Sequence, residues 1–262
     1  MQSKREMFIL DTLKTQGAIE VADIAAALGV SLATVRRDLA NLEARGLLVK
    51  TRGGAILPGS QMATTFNSFH TPFETAYEFR AERMAPQKQA IGKLAATLVQ
   101  PCDTIVIDTG TTVIELARNI KNITPLTVIT NAINVMDELR NCPEITVILL
   151  GGIYDPRTIS VVGPLTEKAL YQLRADKAFL AGGGLTVTDG LMNNNLMTAG
   201  IKKAMAEISS KTIVLVDSSK IGSMAVIPII PAEKITTIVT DGGADRNIVD
   251  EFNEAGVEVL LA

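Results

Sequence analysis

Residues 20–57, EVADIAAALGVSLATVRRDLANLEARGLLVKTRGGAIL, admit few folds. Apolar residues recur at helical spacing in two short runs. In residues 21–28 the inward positions are Val21, Ile24, Ala25 and Leu28, and in residues 32–45 they are Val35, Leu39 and Leu42. Gly29 supplies the turn between the runs and Val30 plugs the gap. Ser31 is a good N-cap for the second run, with Thr34 three residues on. Gly46 stops that run, and residues 47–51 and 55–57 flank Gly53 and Gly54 as the arms of a β-hairpin. An earlier helix, residues 4–15, brings Phe8, Ile9, Leu10 and Leu13 close to one face and ends at Gly17. Short helices across a tight turn, followed by a hairpin, are the layout of a winged helix-turn-helix.

A helix that enters the major groove needs side chains on its first turns that reach base edges and phosphates. Ser31, Ala33, Thr34, Arg36 and Arg37 occupy those turns. Ala33, Arg36 and Arg37 share one helical face, opposite Val35, Leu39 and Leu42, so the arginines point outward while the helix stays anchored. Arginine there either reads guanine or clamps phosphate. Lys50 and Arg52 on the hairpin suit the flanking backbone or the minor groove. The charge is distributed accordingly. Residues 1–57 hold eight Lys/Arg against six Asp/Glu, and residues 58–262 hold 17 against 22. A head that meets phosphates and a body that does not would differ in this sense.

Other classes are excluded by composition. Cys102 and Cys142 form neither a disulfide framework nor a metal pattern, and His70 is the one histidine, so neither a metal nor a cofactor is expected. Glu6, Asp11 and Lys14 interrupt any secretory leader, and no apolar run approaches the roughly 20 residues that span a bilayer. A cytoplasmic protein without a membrane partner is expected.

Beyond the head, Pro58, Gly59, Pro72 and Pro86 punctuate a polar stretch whose part 73–83 reads as helical. The expected organisation is a DNA-binding head at 1–57, a linker at 58–74 and a body at 75–262. From Gln87 onward, β-branched runs at 104–108, 126–130, 145–150, 177–181, 212–217, 235–240 and 257–261 alternate with helical segments. Runs this continuous fit strands buried on both faces, hence an α/β body with a mainly parallel sheet. Asp108, Thr109, Gly110, Thr111 and Thr112 lie where a strand gives way to a helix. Free amides, a close-approach glycine and hydroxyls there favour an anion. Asn131, Gly152 and Gly183 follow other strands, and several strand ends can line one crevice.

The segment SLATVRRDLANLEARGLLVKTRGGAIL closely resembles the DeoR family of bacterial transcriptional regulators, with its V-RRDL-LE-G-L-GGA pattern. Arg52 departs from the His or Tyr that family members often place before the paired glycines. IDTGTT, VITNA, LLGG, VDSSK and IVTD, in this order, resemble the family's effector domain, which is similar to ribose-5-phosphate isomerase and binds sugar phosphates. The resemblance implies a homo-oligomeric repressor of a carbohydrate-use operon that binds double-stranded operator DNA and is released by a phosphorylated sugar. Where the isomerases carry acids in a Gly-Ala-Asp-Glu stretch, Ala181–Gly184 has none, and general acid–base chemistry needs one. Asp189 and Asp217 are the remaining carboxylates considered. Lys220 either binds the effector's anion or pairs with Asp217, and Lys203 is similarly open. The alternatives are an isomerase carrying a DNA-binding head, and a constitutive DNA-binding protein whose body only oligomerises.

Overall fold

The computed structural model describes residues 4–16, 18–45, 47–50, 54–56 and 77–262. The chain divides into two compact units, residues 1–76 and 77–262. The linker expected at 58–74 and its His70 lie outside the described residues, as do Gly17, Gly46, Thr51, Arg52 and Gly53.

The first unit runs α1 (Lys4–Gln16), β1 (Ala18–Glu20), α2 (Val21–Leu28), α3 (Leu32–Ala44), β2 (Val49–Lys50) and β3 (Gly54–Ile56). Its core contains Ile9, Leu13, Ile24, Val35, Leu39 and Leu42, each fully buried. Phe8 does not join them and is 38% exposed. On a helix of 3.6 residues per turn, Ile9 and Leu13 align, while Phe8 stands 100° round from Ile9. Gly29 caps α2 at φ +63°, the left-handed turn that glycine adopts at little cost, and the Val30 amide closes onto the carbonyl of Ala25. The wing is a three-stranded sheet in the order β1-β3-β2 rather than a two-stranded hairpin. Gly54 makes the β1–β3 approach possible, because a Cβ there would stand 1.9 Å from the carbonyl oxygen of Ile19.

The second unit opens with α4 (Tyr77–Glu82) and α5 (Ala85–Ala96). It continues through β4 (Thr104–Ile107), α6 (Val113–Asn119), β5 (Leu126–Thr130), α7 (Ile133–Leu139) and β6 (Ile145–Leu149). Next come β7 (Ile153–Asp155), β8 (Ser160–Val162), α8 (Pro164–Leu170), β9 (Ala175–Leu180), β10 (Gly184–Thr186) and β11 (Gly190–Asn193). The last elements are α9 (Leu196–Glu207), β12 (Ser209–Leu215), β13 (Ile227–Ile230), β14 (Thr237–Thr240), α10 (Arg246–Glu254) and β15 (Glu258–Leu261).

Seven strands form one parallel sheet in the order β15-β14-β12-β9-β4-β5-β6. Each of the seven apolar runs read from the sequence supplies one of them. Alternate residues feed two cores. Ile105, Ile107, Phe179, Ile213 and Val239 face one layer with α5, α6 and α7. Val106, Ala178, Leu180, Val214 and Ile238 face the other with α8, α9 and α10. Burial on both faces is what makes these strands continuous apolar runs. From β4 the chain winds outward through β5 and β6, and from β9 it winds the opposite way through β12, β14 and β15. The winding therefore reverses between β4 and β9, where open parallel sheets leave a crevice outside the carboxyl ends. Two smaller antiparallel sheets, β7-β8 and β10-β11-β13, complete the unit.

Candidate functional site

Two surfaces answer to the residues singled out in the sequence, one in each unit.

In the first unit, the Ser31 hydroxyl caps α3 by accepting from the Thr34 amide at 3.2 Å, and the two hydroxyls lie 2.9 Å apart. Ser31, Ala33, Arg36 and Arg37 are exposed and Thr34 is half-buried. The structure sorts the arginines. Arg5 holds the Asp38 carboxylate with Nε at 2.9 Å, and Arg45 reaches Glu6 at 3.2 Å, so both tie α1 to α3. Arg36 and Arg37 make no ion pair among the described residues and stand free for an external anion or base. Lys50 is partly engaged: Glu43 accepts its backbone amide at 2.8 Å and lies 3.9 Å from its ammonium. That link fixes the wing against α3. Arg52 lies outside the described residues.

In the second unit, Asp108, Thr109, Gly110, Thr111 and Thr112 follow β4 at the reversal point, and all five are buried. The amides of Gly110, Thr111 and Thr112 have no acceptor among the described residues. A Cβ on Gly110, whose φ is +155°, would stand 3.2 Å from Ala181 Cβ, so this loop leans on the end of β9. Thr109 donates to the Thr158 carbonyl at 2.8 Å. Asn131 follows β5, is fully buried, and donates through Nδ2 to the Val161 carbonyl at 2.9 Å.

Asp108 has a partner that the sequence does not disclose. Its Oδ2 accepts from the Ala181 amide at 3.0 Å and from the Lys202 ammonium, which also donates to the Ala181 carbonyl at 3.0 Å. Lys202 and Asp108 are 3% and 0% exposed. Lys203, the lysine expected here, is not brought to the crevice. It is exposed and lines a hollow of about 360 Å³ with Ser209, at the start of β12, and Lys234. Consecutive helical residues point 100° apart, so only one of the pair can face inward, and that one is Lys202.

The other expected residues divide. Lys220 ends a 3₁₀ turn after β12, is half-exposed, and makes no ion pair among the described residues. Asp217 instead accepts from the amide and hydroxyl of Ser219. Of the two roles open to Lys220, pairing with Asp217 is absent. Gly183 is half-exposed beside Asn194 and Ala225. Gly152 has a packing role: a Cβ there would lie 2.1 Å from Thr166 Oγ1 and 2.8 Å from the Val162 carbonyl. Asp189 braces the β10–β11 turn through Thr186 and Thr188. A second lysine without a sequence signal, Lys88, donates to the carbonyls of Arg80 and Arg83, and burial pulls its pKa down to about 8. Asp217 opposes that shift and Lys220 adds to it. Among the described residues, no helix is long and apolar enough to cross a membrane.

Comparison with known proteins matches both units of the chain. Residues 5–61 match the DeoR-like helix-turn-helix domain, and residues 83–242 match the DeoR C terminal sensor domain. The chain is 32% identical to the HTH-type transcriptional regulator GolR of Listeria innocua serovar 6a, over 99% of this chain and 98% of that one. It is also 32% identical to the HTH-type transcriptional repressor GlcR of Bacillus subtilis (strain 168), over 99% of this chain and 96% of the other. Among solved structures, ribose 5-phosphate isomerase A of Methanocaldococcus jannaschii is a distant, partial likeness, with a TM-score of 0.39 and 19% identity over 55% of each chain. With head and sensor body both matched, and relatives alike over nearly their whole length, the chain belongs to the DeoR family of transcriptional regulators, DNA-binding proteins rather than enzymes.

Proposed function

We propose that this regulator represses a carbohydrate-use operon as a homo-oligomer, and that a phosphorylated sugar in the crevice at the β4–β9 reversal releases it from the operator. The observation that carries the reading is the Asp108–Thr112 loop, with three backbone amides lacking acceptors among the described residues, together with Lys220, which makes no ion pair among them and follows β12, two strands from β4. Phosphate completes such donors. The B. subtilis relative's name as a repressor supports the direction of control. Exposed Leu165, Leu196, Met224 and Val226 on the sensor unit are apolar surface that a second copy would cover. Ser31, Ala33, Thr34, Arg36, Arg37 and Lys50 form the operator-reading surface in this account. For release to follow binding, the effector must prefer the arrangement of heads that does not fit the operator.

A thermal-shift screen of the full chain against sugar phosphates tests the effector. A ligand at 100 times its Kd is expected to stabilise the sensor unit by about 2.7 kcal/mol. Stabilisation by one or a few sugar phosphates, and none by the unphosphorylated sugars, supports the reading. No response to any sugar phosphate favours a body that only oligomerises.

A further inference from the structure

Two acceptor oxygens at the carboxyl ends of β4 and β5 have no donor among the described residues. Asp108 Oδ1 and Asn131 Oδ1 are buried without a hydrogen-bond partner among the described residues, and both residues are fully buried. The two residues follow Ile107 and Thr130, the last register pair of the two strands, so their backbones are neighbours about 4.8 Å apart. Their remaining polar atoms are engaged, Asp108 Oδ2 by Ala181 and Lys202 and Asn131 Nδ2 by Val161. Native proteins rarely leave buried acceptors unpaired, and the exceptions cluster where something else supplies the donor.

The chemistry of the missing donor follows from charge. A carboxylate oxygen and an amide oxygen accept hydrogen bonds and repel a phosphate. Of the groups that attract phosphate, Lys220 stands on the side of β4 away from β5, and the amides of the Gly110 loop share the end of β9 with the Asp108 carboxylate. Gly110 leans on Ala181 at the end of β9, and Lys220 follows β12, the next strand beyond. We infer that the crevice orients its ligand: two adjacent hydroxyls donate to Asp108 Oδ1 and Asn131 Oδ1, and the phosphate lies toward the amides after Gly110 and Lys220. This rests on the sugar-phosphate reading above and sharpens it. The ligand class is a polyol phosphate with a vicinal diol remote from its phosphate. Asp108 and Asn131 are then the residues that select the sugar, and Lys202 is a positioning residue that holds the Asp108 carboxylate.

The test uses the full chain and calorimetric titration with the 6-phosphates of glucose, galactose, fructose, tagatose and sorbitol, with inorganic phosphate and phosphoglycolate as anions lacking a diol. At least one hexose or hexitol phosphate is expected to bind at least tenfold more tightly than either small anion. For that probe, deoxygenation at two adjacent carbons should each weaken binding at least tenfold, because a site built to bind a hydroxyl rejects the analogue that lacks it. Loss at the other carbons should stay within threefold. Asn131→Leu should weaken the same probe at least tenfold and leave inorganic phosphate unchanged. The deoxy series on the unaltered protein decides the matter should that variant fail to fold. Equal binding of all deoxy analogues means that the two oxygens meet an internal water only, and overturns the inference while the sugar-phosphate reading stands. No binding of any sugar phosphate, in this titration and in the thermal-shift screen alike, overturns that reading and this inference together.

Discussion

Lys202→Met is expected to destabilise the sensor unit by about 3–5 kcal/mol, the usual cost of removing one partner from a buried ion pair. The Asp108 carboxylate would keep the Ala181 amide but lose its only cation among the described residues, in a position with no exposure. In urea, with a slope of about 2–3 kcal/mol per M for a unit this size, the midpoint should fall by roughly 1–2 M. Circular dichroism follows it, since the parallel sheet belongs to this unit alone. The double variant Asp108→Leu/Lys202→Met should recover most of the loss, because a packed apolar pair often replaces a buried ion pair at little net cost. A Lys202→Met protein that melts with the wild type would mean that the pair does not organise the crevice.

Arg37→Ala is expected to weaken operator binding by roughly 1–3 kcal/mol if the guanidinium reads a base. The expectation stands on the contrast between the arginines of the first unit. Arg5 and Arg45 are held by Asp38 and Glu6, whereas Arg36 and Arg37 are exposed and make no ion pair among the described residues. Fluorescence anisotropy with the operator and with a scrambled duplex separates the possibilities. Loss on the operator alone assigns Arg37 to a base edge, and equal loss on both assigns it to phosphate. Arg45→Ala is the control and should change neither affinity by more than a small factor. If Arg37→Ala binds both duplexes like the wild type, α3 is not the recognition helix.

Much of this architecture could be read from the chain. The inner strands of the large sheet were legible because burial on both faces forces continuous β-branched runs, while the partly exposed edge strands β6 and β15 showed only as apolar stretches. The α2–Gly29–α3 turn was legible because only a few residue types fit its geometry. The smaller pieces were not. β1, β7, β8 and β10 are three residues each, too short for a period to show, and long-range pairing holds them in place. The crevice was half legible. The residues after β4 and β5 announced themselves by type and position, but the partner of Asp108 sits 94 residues away on α9, and nothing in IKKAM distinguishes Lys202 from Lys203. Lys88 carried no signal, because its role depends on the carbonyls that end α4.

The central claim is that a phosphorylated sugar in the crevice of the second unit controls the head. It is tested by titrating the operator complex of the wild type and of Lys220→Met with the sugar phosphate found in the screen, following release by anisotropy. Lys220 is half-exposed and makes no ion pair among the described residues, so its loss should leave fold and operator affinity intact. The account predicts that Lys220→Met needs at least tenfold more effector for release than the wild type, at equal operator affinity. Release of both proteins at the same effector concentration would contradict it.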